Sequence, residues 1–166
     1  MIINKYLNNV NSNWGFVLVG AYVFAQNWFV GSAIILMGFA SMWSHKFGDF
    51  ERDWEAMWFC FYAIAGDTFD VLPISMLLFA ITISFLEDEL RKLPKDLGIG
   101  YYYILLGLVY FIGFIGSFWI INWGQALLSG AMFLTGFIVR QTKSIPNNHS
   151  WWHIIIAIAI LIRYIQ

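Results

Sequence analysis

The sequence predicts an all-α integral membrane bundle of seven helices, with its amino terminus in the cytoplasm. Three observations carry that expectation. Of 166 residues, 60% are apolar, 20% aromatic and only 11% charged. An ordinary soluble domain carries about 25% charged and about 45–50% apolar residues. Long stretches contain no Lys, Arg, Asp or Glu: 6–45, 56–66, 71–86, 97–139 and 144–162. Divided at their polar breaks, these stretches leave eight of the nine basic residues on one side. The composition also excludes disorder, and the single cysteine, Cys60, excludes a disulfide scaffold. A net charge of −1 gives no basic footprint for nucleic acid.

A membrane span needs about 20 apolar residues, or about 17 at the short end. Gln26-Asn27 divides the first stretch into Asn11–Ala25 and Trp28–His45, and Asn122 to Gln125 divides the fourth into Ile99–Ile121 and Gly124–Val139. The remaining spans are Arg52–Gly66, Asp70–Leu86 and His149–Ile165, all within a single domain over residues 1–166. With seven spans, Lys5, Lys46, Arg52, Arg91, Lys92, Lys95, Arg140 and Lys143 share the side of the amino terminus, and only Arg163 lies opposite. That asymmetry is the positive-inside signal of a cytoplasmic face. Six spans with a re-entrant first segment is the alternative.

Local features agree with these divisions. Pro73 falls in the first turn after an expected Asp70 cap, and Pro146 precedes the last helix, so neither interrupts a helix interior. Trp14, Trp28, Trp54, Trp123, Trp151 and Trp152 sit near span ends, where indoles anchor at the membrane interface. Gly107, Gly113, Gly116, Gly130 and Gly136 permit close helix approach. No basic segment precedes a short apolar run and a small-residue cleavage site, so no cleavable signal peptide is expected.

The three histidines point to chemistry. His149 and His153 are four residues apart in the last span, so their rings share one face about one turn apart. His45 ends the second span, with Ser41 one turn before it on the same face. In the seven-span topology all three histidines lie toward the cytoplasmic side. Three imidazoles at one depth make a tetrahedral zinc site whose fourth position is open to water, a catalytic arrangement. A histidine also sits at an interface simply because its ring tolerates the headgroup region. The shared side and the Ser-x3-His partner argue against that reading here.

Zinc hydrolysis needs a proton acceptor as well, because the metal brings its bound water to a pKa of about 7 and a carboxylate then carries the proton to the leaving group. The cytoplasmic candidates are Asp49, Glu51, Asp53 and Glu55. Asp53 is preferred because it opens the third span, and Asp49 is the runner-up. Glu87, Asp88 and Glu89 with Arg91, Lys92 and Lys95 read as a solvated loop. Asp67 and Asp70 fall on the wrong side for this site, and Cys60, in mid-span, reads as packing.

These residues resemble the CREST superfamily, which groups alkaline ceramidases, progestin and adiponectin receptors with their hemolysin III relatives, and Per1-type GPI remodelling enzymes. The likeness rests on Ser41-x3-His45, on "HSWWHIIIA" from His149, on "DWEAMWF" from Asp53 and on "VNSNWGFVLVG" from Val10. The last is similar to the opening of the first helix in the ceramidase branch, and the His-x-x-Trp-His pattern is the most diagnostic. The resemblance implies zinc on His45, His149 and His153. It implies that Ser41 bonds the zinc water or the developing oxyanion, and that Asp53 acts as general base and then acid. It implies hydrolysis of lipids, with cleavage of the ceramide amide the best-defined reaction. The eukaryotic ceramidases bind calcium through an acidic amino terminus. Residues 1–13 here contain no Asp or Glu, so no calcium site is expected.

The leading expectation is a membrane-embedded zinc-dependent hydrolase that cleaves the N-acyl amide of ceramide or a related acylated lipid, or an ester counterpart. The alternative is a hemolysin III or progestin-adiponectin-receptor-like membrane protein with a structural metal and no turnover. The expected partners are the lipid substrate and the bilayer, with no nucleic acid. The sequence leaves the oligomeric state open. Compact length and the lack of a targeting tail favour a bacterial inner membrane over an internal eukaryotic one.

Overall fold

The computed structural model describes residues 8–48, 50–86, 92 and 123–165, apart from the side chains of residues 50–54, 85 and 86. The architecture is all-helical, with no strand among the described residues. A 3-10 turn, Asn11–Asn13, leads into α1 (Trp14–Phe24). It is followed by α2 (Trp28–Phe47), α3 (Phe50–Thr68), α4 (Leu72–Ile81, continued by a π turn Thr82–Leu86), α5 (Trp123–Gln141) and α6 (Asn148–Tyr164). The span expected at Ile99–Ile121 and the charged loop expected from Glu87 to Lys95 lie outside the described residues, apart from Lys92.

The polar break at Gln26-Asn27 ends one helix and starts the next. The Asn27 Oδ1 accepts from the backbone N–H groups of Phe29 and Val30, each at 3.1 Å, and so satisfies two of the unpaired donors at the start of α2. At the other end of α2, Gly48 adopts φ 78, and its N–H closes on the Ser44 carbonyl at 2.7 Å. The helix then gives way to α3 within a few residues. Two expected starts shift. Asp70 does not cap α4, because it takes φ 54 in the turn that ends α3, where the Val71 N–H bonds the Gly66 carbonyl at 2.9 Å. Val71 takes the cap position instead, with Pro73 in the first turn. Likewise α3 begins at Phe50, so Asp53 is its fourth residue and does not open the helix.

Helices α1 and α2 pack backbone against backbone. A Cβ at Gly31 would lie 2.3 Å from the Phe24 Cα, and one at Gly20 would lie 2.9 Å from the Gly31 carbonyl oxygen. Only the missing side chains allow this approach, which tertiary contact between short helices exploits. The same two-helix seam brings the start of α1 beside the end of α2.

Around that seam, α1 also packs on α6, α2 on α3, α3 on α4, and α5 on α6. Val23, Val30, Ile34, Phe61, Ile156 and Ile160 meet in the core, with Phe133 of α5 edge-on to Phe61. Cys60 is fully buried there, as its mid-span position suggested. The outer surface is apolar too: Leu18, Leu36, Ile74, Leu77, Leu127 and Leu134 are exposed. Among the described residues one helix, α2, is long and apolar enough to cross a membrane, and the apolar stretch Leu72–Ser84 is shorter.

The bundle therefore has two polar ends. One gathers the start of α1, the end of α2 and the starts of α3 and α6. The other gathers Asn27, Asp67 and Tyr164, where Asp67 accepts from the Asn27 Nδ2 at 2.6 Å and from the Tyr164 hydroxyl at 3.0 Å. Between Asn27 and His45, α2 rises about 27 Å at 1.5 Å per residue. That is close to the roughly 30 Å hydrocarbon thickness of a bilayer.

Candidate metal centre

The end of α2 carries His45, and the first turns of α6 carry His149 and His153. Their four-residue spacing on α6 turns both rings toward α2. The ring centroids are 4.6 Å apart for His45 and His149, 5.2 Å for His45 and His153, and 4.6 Å for His149 and His153. One ligand nitrogen from each ring falls within 4.8 Å of the others. Tetrahedral zinc with Zn–N of about 2.05 Å needs nitrogens about 3.3 Å apart.

The surroundings fix how His153 presents itself. Its ring is 1% exposed, and its Nδ1 lies 2.8 Å from the Ser12 Oγ. The Ser12 hydroxyl also lies 3.3 Å from the Asn9 carbonyl, and with its proton directed there its lone pair accepts the Nδ1–H of His153. In that tautomer the Nε2 lone pair is left available to a metal. The His153 Nε2 is buried with no hydrogen-bond partner among the described residues. A buried imidazole nitrogen with its opposite nitrogen held by a hydroxyl is the arrangement that metal-ligating histidines adopt. The donor set therefore fits a divalent transition metal, and three neutral imidazoles leave that metal its full charge.

Residue Asn9 ties this support together. Its carbonyl also accepts from the Asn13 Nδ2 at 2.6 Å, and its Oδ1 accepts from the Ser150 hydroxyl at 2.9 Å on α6. Aromatic rings close the sides: Phe16 meets His153 edge-on at 5.9 Å, and Trp152 packs on His149 at 5.8 Å and on His153 at 5.1 Å. Arg140, in the last turn of α5, lies at the same end of the bundle, its carbonyl accepting from the Asn148 Nδ2 at the start of α6 at 3.0 Å. It adds positive potential that favours an anion at this end.

Of the residues expected at the site, the three histidines come together. Ser41 is buried one turn before His45 on α2. Asp53 lies in the first turn of α3, at the histidine end of the bundle, and its side chain lies outside the described residues, as does Asp49 entirely. Asp67 belongs to the opposite end, as its place in the sequence implied. Sequence reasoning assigned no role to Asn9, Ser12 or Asn13. The signal was present in the run of amide and hydroxyl side chains at Asn8, Asn9, Asn11, Ser12 and Asn13, just ahead of an apolar helix. Arg140, expected among the loop charges, ends α5 at the histidine end of the bundle.

Among the described residues this is a helical bundle with three convergent imidazoles at one end, a group of side chains that could hold a metal ion. Comparison with protein-family models, characterised proteins and solved structures finds no match.

Proposed function

We propose that this chain is a multi-span membrane protein of seven helices, the seventh supplied by the apolar stretch Ile99–Ile121, and that it is a zinc-dependent lipid amide hydrolase of the CREST kind. The observation that supports this best is the triad itself: His45, His149 and His153 within reach of one ion, with the His153 Nε2 buried and unpaired among the described residues and its Nδ1 in contact with Ser12. Among the described residues the triad offers three protein ligands, a number that suits a catalytic rather than a structural zinc. The apolar outer surface and the 27 Å rise of α2, about the thickness of a bilayer core, support membrane embedding.

Zinc bound at the triad would supply a water of pKa about 7 and a Lewis acid for the acyl carbonyl. The chain supplies the rest. Ser41, buried on the His45 face of α2, orients the water or the developing oxyanion. Asp53, in the first turn of α3, takes the proton from the water and returns it to the departing nitrogen. Arg140 adds positive potential where negative charge develops. The apolar helix faces hold the acyl chain and keep bulk water out.

The test is zinc content and turnover together. Purified wild-type protein should carry about one zinc per chain and hydrolyse acylated lipids, and His149→Ala should lose both. Asp53→Ala should keep the zinc and the fold but lose turnover. Full activity in Asp53→Ala and His149→Ala would end the hydrolase reading. Zinc without turnover in wild type would favour the receptor-like alternative with a structural metal.

A further inference from the structure

We propose that Asn13 is the specificity-determining residue of this site, its side-chain carbonyl accepting the N–H of an amide substrate and so selecting lipid amides over lipid esters. This rests on the hydrolase reading above for its chemistry, but it stands on separate observations.

Asn13 is fully buried, at 0% exposure. Its Nδ2 donates to the Asn9 carbonyl at 2.6 Å, which settles the orientation of the amide, because the flipped form would press two carbonyl oxygens together. The Oδ1 is then a buried acceptor with no donor among the described residues. Buried polar atoms are almost always paired, and those that are not cluster where a ligand or water completes them.

Its position is set by two contacts. The preceding residue, Ser12, holds His153. The Asn13 backbone oxygen would lie 3.3 Å from a Cβ added at Gly38 of α2. Gly38, Ser41 and His45 follow the three- and four-residue spacing of one helix face. The Asn13 backbone thus packs on the face of α2 that carries Ser41 and His45, while the preceding Ser12 contacts His153 of α6.

A lone carbonyl oxygen demands a donor. The scissile bond of a secondary amide brings one, its N–H, and an ester brings none. With the N–H held by Asn13, the nitrogen lone pair is directed away from it, toward the proton that must arrive as the C–N bond breaks. The balance is ordinary hydrolysis: water adds to the acyl carbon, the C–N bond breaks, and one water proton ends on the nitrogen. An ester oxygen in that place would set its lone pairs against the Asn13 Oδ1. Sites built to bond a substrate N–H or O–H discriminate strongly against analogues that lack it, because the buried partner is left unpaired.

The experiment compares the dodecanoyl amide of an amino-diol with the dodecanoyl ester of the matching diol, on zinc-loaded protein. Asn13→Ala should lower kcat/KM for the amide by about 10- to 100-fold and change the ester by less than about threefold. Asn13→Leu keeps the forked side-chain shape, fills the space left by alanine and removes the acceptor, so it reads the same loss if the alanine variant does not fold. Equal losses on both lipids, or no loss on the amide, would overturn the inference. A second arm titrates chelator-treated protein with each lipid and follows tryptophan fluorescence. Wild type should bind the amide about tenfold tighter than the ester, and Asn13→Ala should erase the difference. Equal binding by wild type would also overturn it. Wild type that binds selectively but cleaves neither lipid would overturn the hydrolase reading alone.

Discussion

Removing the Ser12 hydroxyl should weaken zinc binding at a triad that it does not join. In Ser12→Ala the His153 Nδ1–H loses its acceptor at 2.8 Å, and both residues are buried, at 4% and 1% exposure. A buried donor left unpaired costs about 1–3 kcal/mol. At 1.4 kcal/mol per tenfold, that is a loss of about 5- to 150-fold in affinity if it is felt wholly in the metal-bound form. The range agrees with the roughly 10- to 100-fold seen when the outer partners of metal ligands are removed. The assay is competition for zinc against a chromogenic chelator, with purified protein in detergent. Ser12→Thr retains a hydroxyl and should stay near wild type. A Ser12→Ala protein that unfolds at the wild-type temperature and binds zinc within about threefold of wild type would refute the argument. The Ser12–His153 bond would then not be what orients the ligand.

Other consequences follow from the packing. Gly31→Ala should destabilise the fold by at least about 1–3 kcal/mol, because its Cβ would sit 2.3 Å from the Phe24 Cα and must push α1 and α2 apart; thermal unfolding of wild type and variant side by side checks this. Asp67→Ala frees Asn27 and Tyr164 at once and should lower stability by about 1–2 kcal/mol. Zinc content should be unchanged in that variant, because the triad lies about 27 Å away along α2; a zinc loss would show that the two ends are coupled. Cys60, fully buried in the core, should resist a maleimide reagent in folded protein and react on denaturation. Rapid labelling of the native protein would place it elsewhere.

Much of the helical plan was legible in the chain because it depends on local properties. The break at Gln26-Asn27 stands out as two amides between apolar runs, and Asn27 does cap α2. The ends of α5 and α6 fall within two residues of the expected Gly124–Val139 and His149–Ile165. Where the expectation slipped, a competing local device was at work: Asp70 served a left-handed turn in place of a cap. Length was read less well. All six described helices were expected as spans of about 15 to 18 residues, yet α1 proper covers only Trp14–Phe24, because Asn11–Asn13 winds into a tighter 3-10 turn.

The same division runs through the site. By itself, the sequence determined that His149 and His153 share a helix face, that Ser41 and His45 share another, and that the chain is overwhelmingly apolar. Those follow from the 3.6-residue period and from composition, which need no knowledge of neighbours. Only the tertiary structure decided that the two faces meet, and that Ser12, 141 residues from His153, supplies its hydrogen bond. It also decided that Asn13 ends as a buried acceptor beside them. Such pairings depend on how closely whole helices approach, here through Gly20 against Gly31 and Asn13 against Gly38. A missing side chain in one helix has meaning only when the shape of its partner is known.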